Sequence, residues 1–252
     1  MLDEWALRSW LPLQIINILA MIYFDRTQTK DILAMGMMMG GGINVAHELI
    51  HKDNFTDRMI GRVLLTMVGY GHWEWQHKEG HHKNIGLEKD PASAPFGMSI
   101  YRFLPRTIVG TLYQSMNMSP LRFITTLSCS SIILIMAWKA GFLAVYLQMG
   151  AVAILLLELI NYNEHYGLYR SSPDQKVNET HSWDAPYLMS SILLYKLTFH
   201  ADHHLNSKKF YTELEDRTKS PRLPFPYPIM MMICLFPPIY FHLVHPLLPT
   251  HN

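Results

Sequence analysis

Between Arg122 and Glu158 the only charged residue is Lys139. Two apolar runs, Phe123–Trp138 and Phe142–Ile160, flank it, joined by Lys139-Ala140-Gly141. Arms of about 16 and 19 residues approach the roughly 20 that a helix needs to cross a bilayer. A buried hairpin in a soluble protein would have to hide two helices that are apolar all round, so a membrane hairpin is expected. Two further runs, Trp10–Phe24 and Ile32–Ala46, flank the polar turn Asp25–Lys30. The first is only about 15 residues, short for a span. The second carries Gly36 and Gly40-Gly41-Gly42, small residues that let helices approach closely in lipid. The expected fold is all-α: one polytopic membrane bundle over residues 1–252, with about four spanning helices.

Composition agrees. The chain is 49% hydrophobic and 16% charged, against about 25% charged in soluble domains. A net charge of +1 gives no reason to expect nucleic-acid binding. Cys129 and Cys234 sit inside apolar runs, so they read as reduced thiols and cannot supply a four-thiolate iron site. Met1–Trp10 carries Asp3, Glu4 and Arg8, unlike the basic head of a cleavable signal peptide. In the polar stretches, Val63–Tyr70 is too short to span and reads as interfacial or re-entrant. Tyr187–Phe199 is moderately apolar, and Ile229–Val244 is broken by Pro237-Pro238. Lysine and arginine number nine in residues 52–122 and eight in 166–228, against Arg26, Lys30 and Lys139 in the opposite turns. The positive-inside rule therefore predicts both polar stretches on the cytoplasmic side.

Those stretches and the helix ends beside them hold the histidines. His47 and His51 are four apart in His47–Lys52 (HELIHK), one face of a helix. Alone this pattern matches the HExxH zinc-protease signature with Glu48 as base. Then come His77, His81 and His82 in HKEGHH, His165 in NYNEHYGL, and His200, His203 and His204 in HADHH. If helical, His77 and His81 pair at four residues, and His203 and His204 follow His200 by three and four. Nine imidazoles exceed one tetrahedral zinc site. They suffice for two metals, and by chemical analogy two irons fit best, since paired redox metals near a membrane can activate O2. The protease reading leaves seven of them unexplained. His72, His181, His242, His245 and His251 read as packing or interfacial side chains.

Carboxylates near ligands commonly receive the second imidazole N–H. Asp202, between His200 and His203, and Glu164, beside His165, are placed for it, and Asp90 and Glu48 also lie near histidines. Glu79 reads as a solvated charge. Glu158, about two turns before His165 on an apolar helix, is costly there and should face the site or pair with a cation.

Together, HELIHK, HKEGHH, Asp90–Ala94 (DPASA), NYNEHYGL and HADHH resemble the integral-membrane alkane 1-monooxygenase family, a non-haem di-iron group among the membrane fatty-acid desaturases and hydroxylases. Tyr101–Thr107 (YRFLPRT), His181-Ser-Trp183 and Ser220–Pro224 (SPRLP) are similar too. The resemblance implies that His47, His51, His77, His81, His82, His165, His200, His203 and His204 bind two iron ions. It implies O2-dependent hydroxylation of the terminal methyl of an alkane or alkyl chain taken from the bilayer. It also implies a rubredoxin-type or ferredoxin-type electron donor with its reductase. Desaturation, or metal binding without turnover in a truncated relative, are the alternative readings. The chain departs from the family at Phe199 (usually arginine), Asp184 (usually asparagine) and Pro95 (often arginine). It is also short before His47 by about one helical hairpin.

Overall fold

A computed structural model describes residues 2–249. The helices are α1 (Leu2–Tyr23), α2 (Thr29–Ile50), α3 (Phe55–Met67), a helical stretch α4 (73–84), α5 (Ile100–Met118), α6 (Pro120–Lys139), α7 (Leu143–His165), α8 (Leu188–Leu193), α9 (His200–Leu205), α10 (Tyr227–Ile233) and α11 (Pro237–Val244). Among the described residues there is no strand, only one isolated bridge between Asp184 and Arg222.

Among the described residues three helices are long and apolar enough to cross a membrane: Asp3–Tyr23 of α1, α6 and α7. α1 corrects the expectation of a run too short to span. It begins well before Trp10 because Asp3 and Glu4 suit a helix N-terminus and Arg8 is paired with Asp57 at 2.6 Å. α2 matches the expected second arm and has 22 residues, but it is not apolar enough to count as a span. Three candidate spans among the described residues, with α2 beside them, accord with the expected all-α membrane bundle. Only 6% of the apolar window of α6 is buried, and Ile124, Leu127, Ile132, Ile135 and Met136 point outward. Such an apolar surface suits lipid, and the chain is an integral membrane protein.

The chain divides into two compact units. The first comprises the chain up to Glu74 together with Ser115–Leu157. In it α2 packs on α1, α3 and α7 through its glycines. A Cβ on Gly36 would stand 2.6 Å from Val152 Cβ, and one on Gly42 2.5 Å from Gln14 Oε1. A Cβ on Gly61 of α3 would stand 2.9 Å from the Ala46 carbonyl oxygen, so a larger residue at any of these crossings forces its neighbours to shift. Arg62 grips Glu74 through both carboxylate oxygens, at 2.6 and 2.9 Å.

The second unit comprises Trp75–Gln114 and the chain from Glu158 onward. Its core is aromatic: Phe103, Tyr162, Tyr166, Trp183, Tyr227 and Tyr240 are buried together. Trp183 and Tyr162 satisfy their polar atoms locally, as burial demands. Trp183 Nε1 donates to the Tyr166 carbonyl at 2.8 Å, and Tyr162 Oη donates to the Met98 carbonyl at 2.7 Å. The apolar run 229–244 is two short helices, α10 and α11, neither long enough to span. α5 was not foreseen, because Arg102, Pro105 and Arg106 disguise it. Arg106 is accommodated by the carbonyls of Glu88 and Asp90, at 2.7 and 3.1 Å.

Candidate metal centre

Seven of the nine candidate histidines belong to the second unit. Within α4 the segment Gln76–His81 is π-helical, and the His82 N–H donates to the His77 carbonyl five residues back. A π turn brings positions five apart onto one face. His77 and His82 therefore face each other, with Nε2 atoms 3.0 Å apart. This corrects the expectation that His77 pairs with His81 at helical spacing. His81 instead turns to His165 and His204, with ring centroids at 4.6 and 4.9 Å.

The short helix α9 divides its histidines in the same way. His200 and His204 lie one turn apart, with Nε2 atoms at 3.0 Å, and His165 Nε2 is 3.1 Å from that of His200. His203, on another face, lies 5.0 Å from the His82 ring. Two sets result. In one, ligand nitrogens of His81, His165, His200 and His204 all lie within 4.8 Å of one another; in the other, the same holds for His77, His82 and His203. Ligands about 2.1 Å from a metal and at right angles to each other are about 3.0 Å apart. The closest nitrogens already stand at that spacing, and an all-imidazole donor set suits a first-row transition metal. Burial and the neighbouring imidazoles hold the His204 ring well below the usual histidine range, which keeps it neutral with a lone pair to offer.

The supports around these sets are specific. His81 Nδ1 lies 2.8 Å from Asp90 Oδ2, which also accepts from Ser93 Oγ at 2.7 Å. Glu164 Oε1 lies 3.3 Å from His200 Nδ1, so it approaches His200 rather than its chain neighbour His165. Asp202 faces away from the imidazoles. It takes hydrogen bonds from Arg217, from Lys209 at 3.0 Å, from Asn206 at 2.7 Å and from the Glu215 N–H at 2.9 Å. Burial opposes its ionisation, but these donors together outweigh that and hold its carboxyl at about 2. It clamps the segment 206–217 to α9. Glu158 is buried and accepts from Thr107 Oγ1 at 2.9 Å and Asn161 Nδ2 at 3.0 Å. Both of these donors are neutral. Glu79 is exposed.

Asp184 was noted in the sequence only as a departure from the family. Its Oδ1 accepts the Ala201 N–H at 2.9 Å, so a residue from a distant segment caps α9, whose own N-cap Phe199 has no side-chain acceptor. Burial pushes its carboxyl up to about 7, against hydrogen bonds that lower it. The His-Ser-Trp-Asp motif was the available signal.

In the first unit, His47 and His51 are buried at the end of α2 with ring centroids 5.1 Å apart. Glu48 forms an ion pair with Lys52 at 2.6 Å. The remaining histidines pack or cap. His181 Nδ1 accepts the Asn178 N–H at 3.0 Å, and His245 Nε2 meets Tyr166 Oη at 2.8 Å. His72 is buried beside Tyr70, and His242 is exposed. His251 lies outside the described residues.

Comparison with known proteins accords with this donor set. Residues 32–129 and 121–230 match the fatty acid desaturase family. Alkane 1-monooxygenase 1 of Pseudomonas aeruginosa is 33% identical over 85% of this chain and 62% of its own length. Alkane 1-monooxygenase of Acinetobacter baylyi is 31% identical over 94% of this chain and 65% of its own length. The xylene/toluene monooxygenase hydroxylase component XylM of Pseudomonas putida is 23% identical over 84% of this chain. The chain thus spans under two thirds of the length of the two alkane monooxygenases. With histidine clusters borne on short buried turns beside apolar helices, it belongs to the fatty acid desaturase family, and within it is similar to the alkane 1-monooxygenases named above.

Proposed function

We propose that this chain is the oxygenase that hydroxylates the terminal methyl of an alkane or alkyl chain, acting as one domain. The observation that carries the reading is the buried all-imidazole set of His81, His165, His200 and His204, in a chain similar to named alkane monooxygenases. His47, His51, His77, His82 and His203 complete the nine ligands that the reading assigns to two metals. Both metals are iron, and when bound they supply the redox chemistry: the alkyl group, O2, two electrons and two protons give a primary alcohol and water. The electrons come from a rubredoxin-type or ferredoxin-type protein on the cytoplasmic side, where the basic polar stretches lie.

The residues hold and orient. Asp90 fixes His81 through its Nδ1, leaving Nε2 for the metal. Asp184 and Asp202 hold α9, which contributes three ligands. An alkane offers no polar handle, so binding rests on apolar burial, worth about 0.8 kcal/mol per CH2. Selectivity for the terminal carbon is positional, set by which carbon is presented first. Alkanes, xylene and toluene all carry methyl groups, which fits the names of the relatives.

The family match also favours a second reading, desaturation of a lipid chain. Purified protein given reductant, donor protein and dodecane separates the two. A primary alcohol with about two irons per chain supports hydroxylation, and alkene as the main product overturns it. Iron without O2 consumption would mark a metal-binding relative without turnover.

A further inference from the structure

Asn44 is a buried amide in the apolar body of α2. It is 8% exposed, and its Nδ2 has no hydrogen-bond partner among the described residues. Its neighbours Ile43, Val45 and Ala46 are buried and apolar. A donor removed from water that donates to nothing in the protein is costly unless something else accepts from it. Its place on the helix indicates what that is. Asn44, His47 and His51 stand at i, i+3 and i+7, along one stripe of α2. Asn44 is one turn from His47, on the side away from the helix end. Side chains so spaced are neighbours, about 5–6 Å apart at Cβ.

We propose that Asn44 is a specificity-determining residue that donates a hydrogen bond to the hydroxyl oxygen of a 1-alkanol, the oxidised end of an alkyl chain. The inference rests on the hydroxylase reading, since that reaction creates one oxygen on an otherwise apolar chain. An alkane leaves the Asn44 donor unused, whereas its alcohol supplies the missing acceptor. The site therefore holds the alcohol more tightly than the parent alkane. One neutral hydrogen bond of ordinary net strength corresponds to about a five-fold difference in affinity.

The test is equilibrium binding without turnover. Radiolabelled dodecane is displaced from the full chain in lipid nanodiscs by 1-dodecanol or by unlabelled dodecane. Unmodified protein should favour 1-dodecanol about five-fold beyond its partition into empty nanodiscs. Asn44→Leu should abolish that preference while leaving dodecane affinity unchanged, and Asn44→Ser, which keeps a donor, should retain part of it. If Asn44→Leu aggregates on gel filtration, Asn44→Ala takes its place. Equal displacement by the two compounds in unmodified protein overturns the inference and leaves a water as the occupant. So does a preference that survives loss of the amide. No saturable binding of either compound overturns the hydroxylase reading, and the inference with it.

Discussion

His77 and His82 meet Nε2 to Nε2 at 3.0 Å across a single π turn, while His81, next to His82 in sequence, faces His165 and His204. One extra residue in the turn thus deals neighbouring histidines to two different sets. His81→Ala should remove about one metal per chain and leave the other, and His77→Ala should do the converse. Metal analysis of each variant after gel filtration checks this. Equal loss of both metals from either change would show that the two sets do not fill separately.

The Asp90 carboxylate holds His81 and is itself held by Ser93 and by the Ala92 N–H at 3.2 Å. Removing such a support typically costs 10–100-fold in metal affinity. Asp90→Ala should show a loss in that range by competition with a chelator, with the protein still folded. Ser93→Ala, which removes one donor to Asp90, should show a smaller loss.

Gly42 meets the Gln14 side chain so closely that a methyl group there would stand 2.5 Å from Oε1. Gln14 is 0% exposed and has little room to withdraw. Gly42→Ala should destabilise the first unit by about 1–3 kcal/mol, as overpacking does. Adding Gln14→Ala should recover part of that loss, read as the midpoint of thermal unfolding in detergent.

Burial lowers the His72 imidazole to about 4, while in the unfolded chain it titrates near ~6.5. The fold therefore accepts the neutral ring. This contribution is intact above about pH 6.5, erodes as pH falls, and is lost below about pH 4. The loss is of order 3 kcal/mol. His72→Leu should flatten this acid limb. Unfolding of metal-stripped protein at pH 7 and pH 5 checks it, because the ligand histidines then contribute equally to both proteins. A parallel fall in the variant would place the acid sensitivity elsewhere.

Contiguous hydrophobicity made α6 and α7 readable, since no other element tolerates so long an apolar run. Histidine spacing revealed which residues gather, but not how they divide. A π turn differs from an α turn by one residue, and HKEGHH fits either. α5 stayed hidden because Arg102 and Arg106 read as loop charge, although the Arg106 guanidinium is held by backbone carbonyls. The partners of Asp202 and Glu158 were equally illegible. Arg217 and Thr107 lie 15 and 51 residues away in the chain, and only folding selects them over nearer candidates.

The six residues of α9 carry three imidazoles, yet their N-terminal amide is held by Asp184, 17 positions upstream. The motif HADHH is therefore not a portable cassette. Moved alone onto another scaffold it would bring the right side chains without the brace that aims them. A minimal transplant, or a designed mimic, must carry the His-Ser-Trp-Asp strap as well, so the unit of inheritance here is a pair of separated segments.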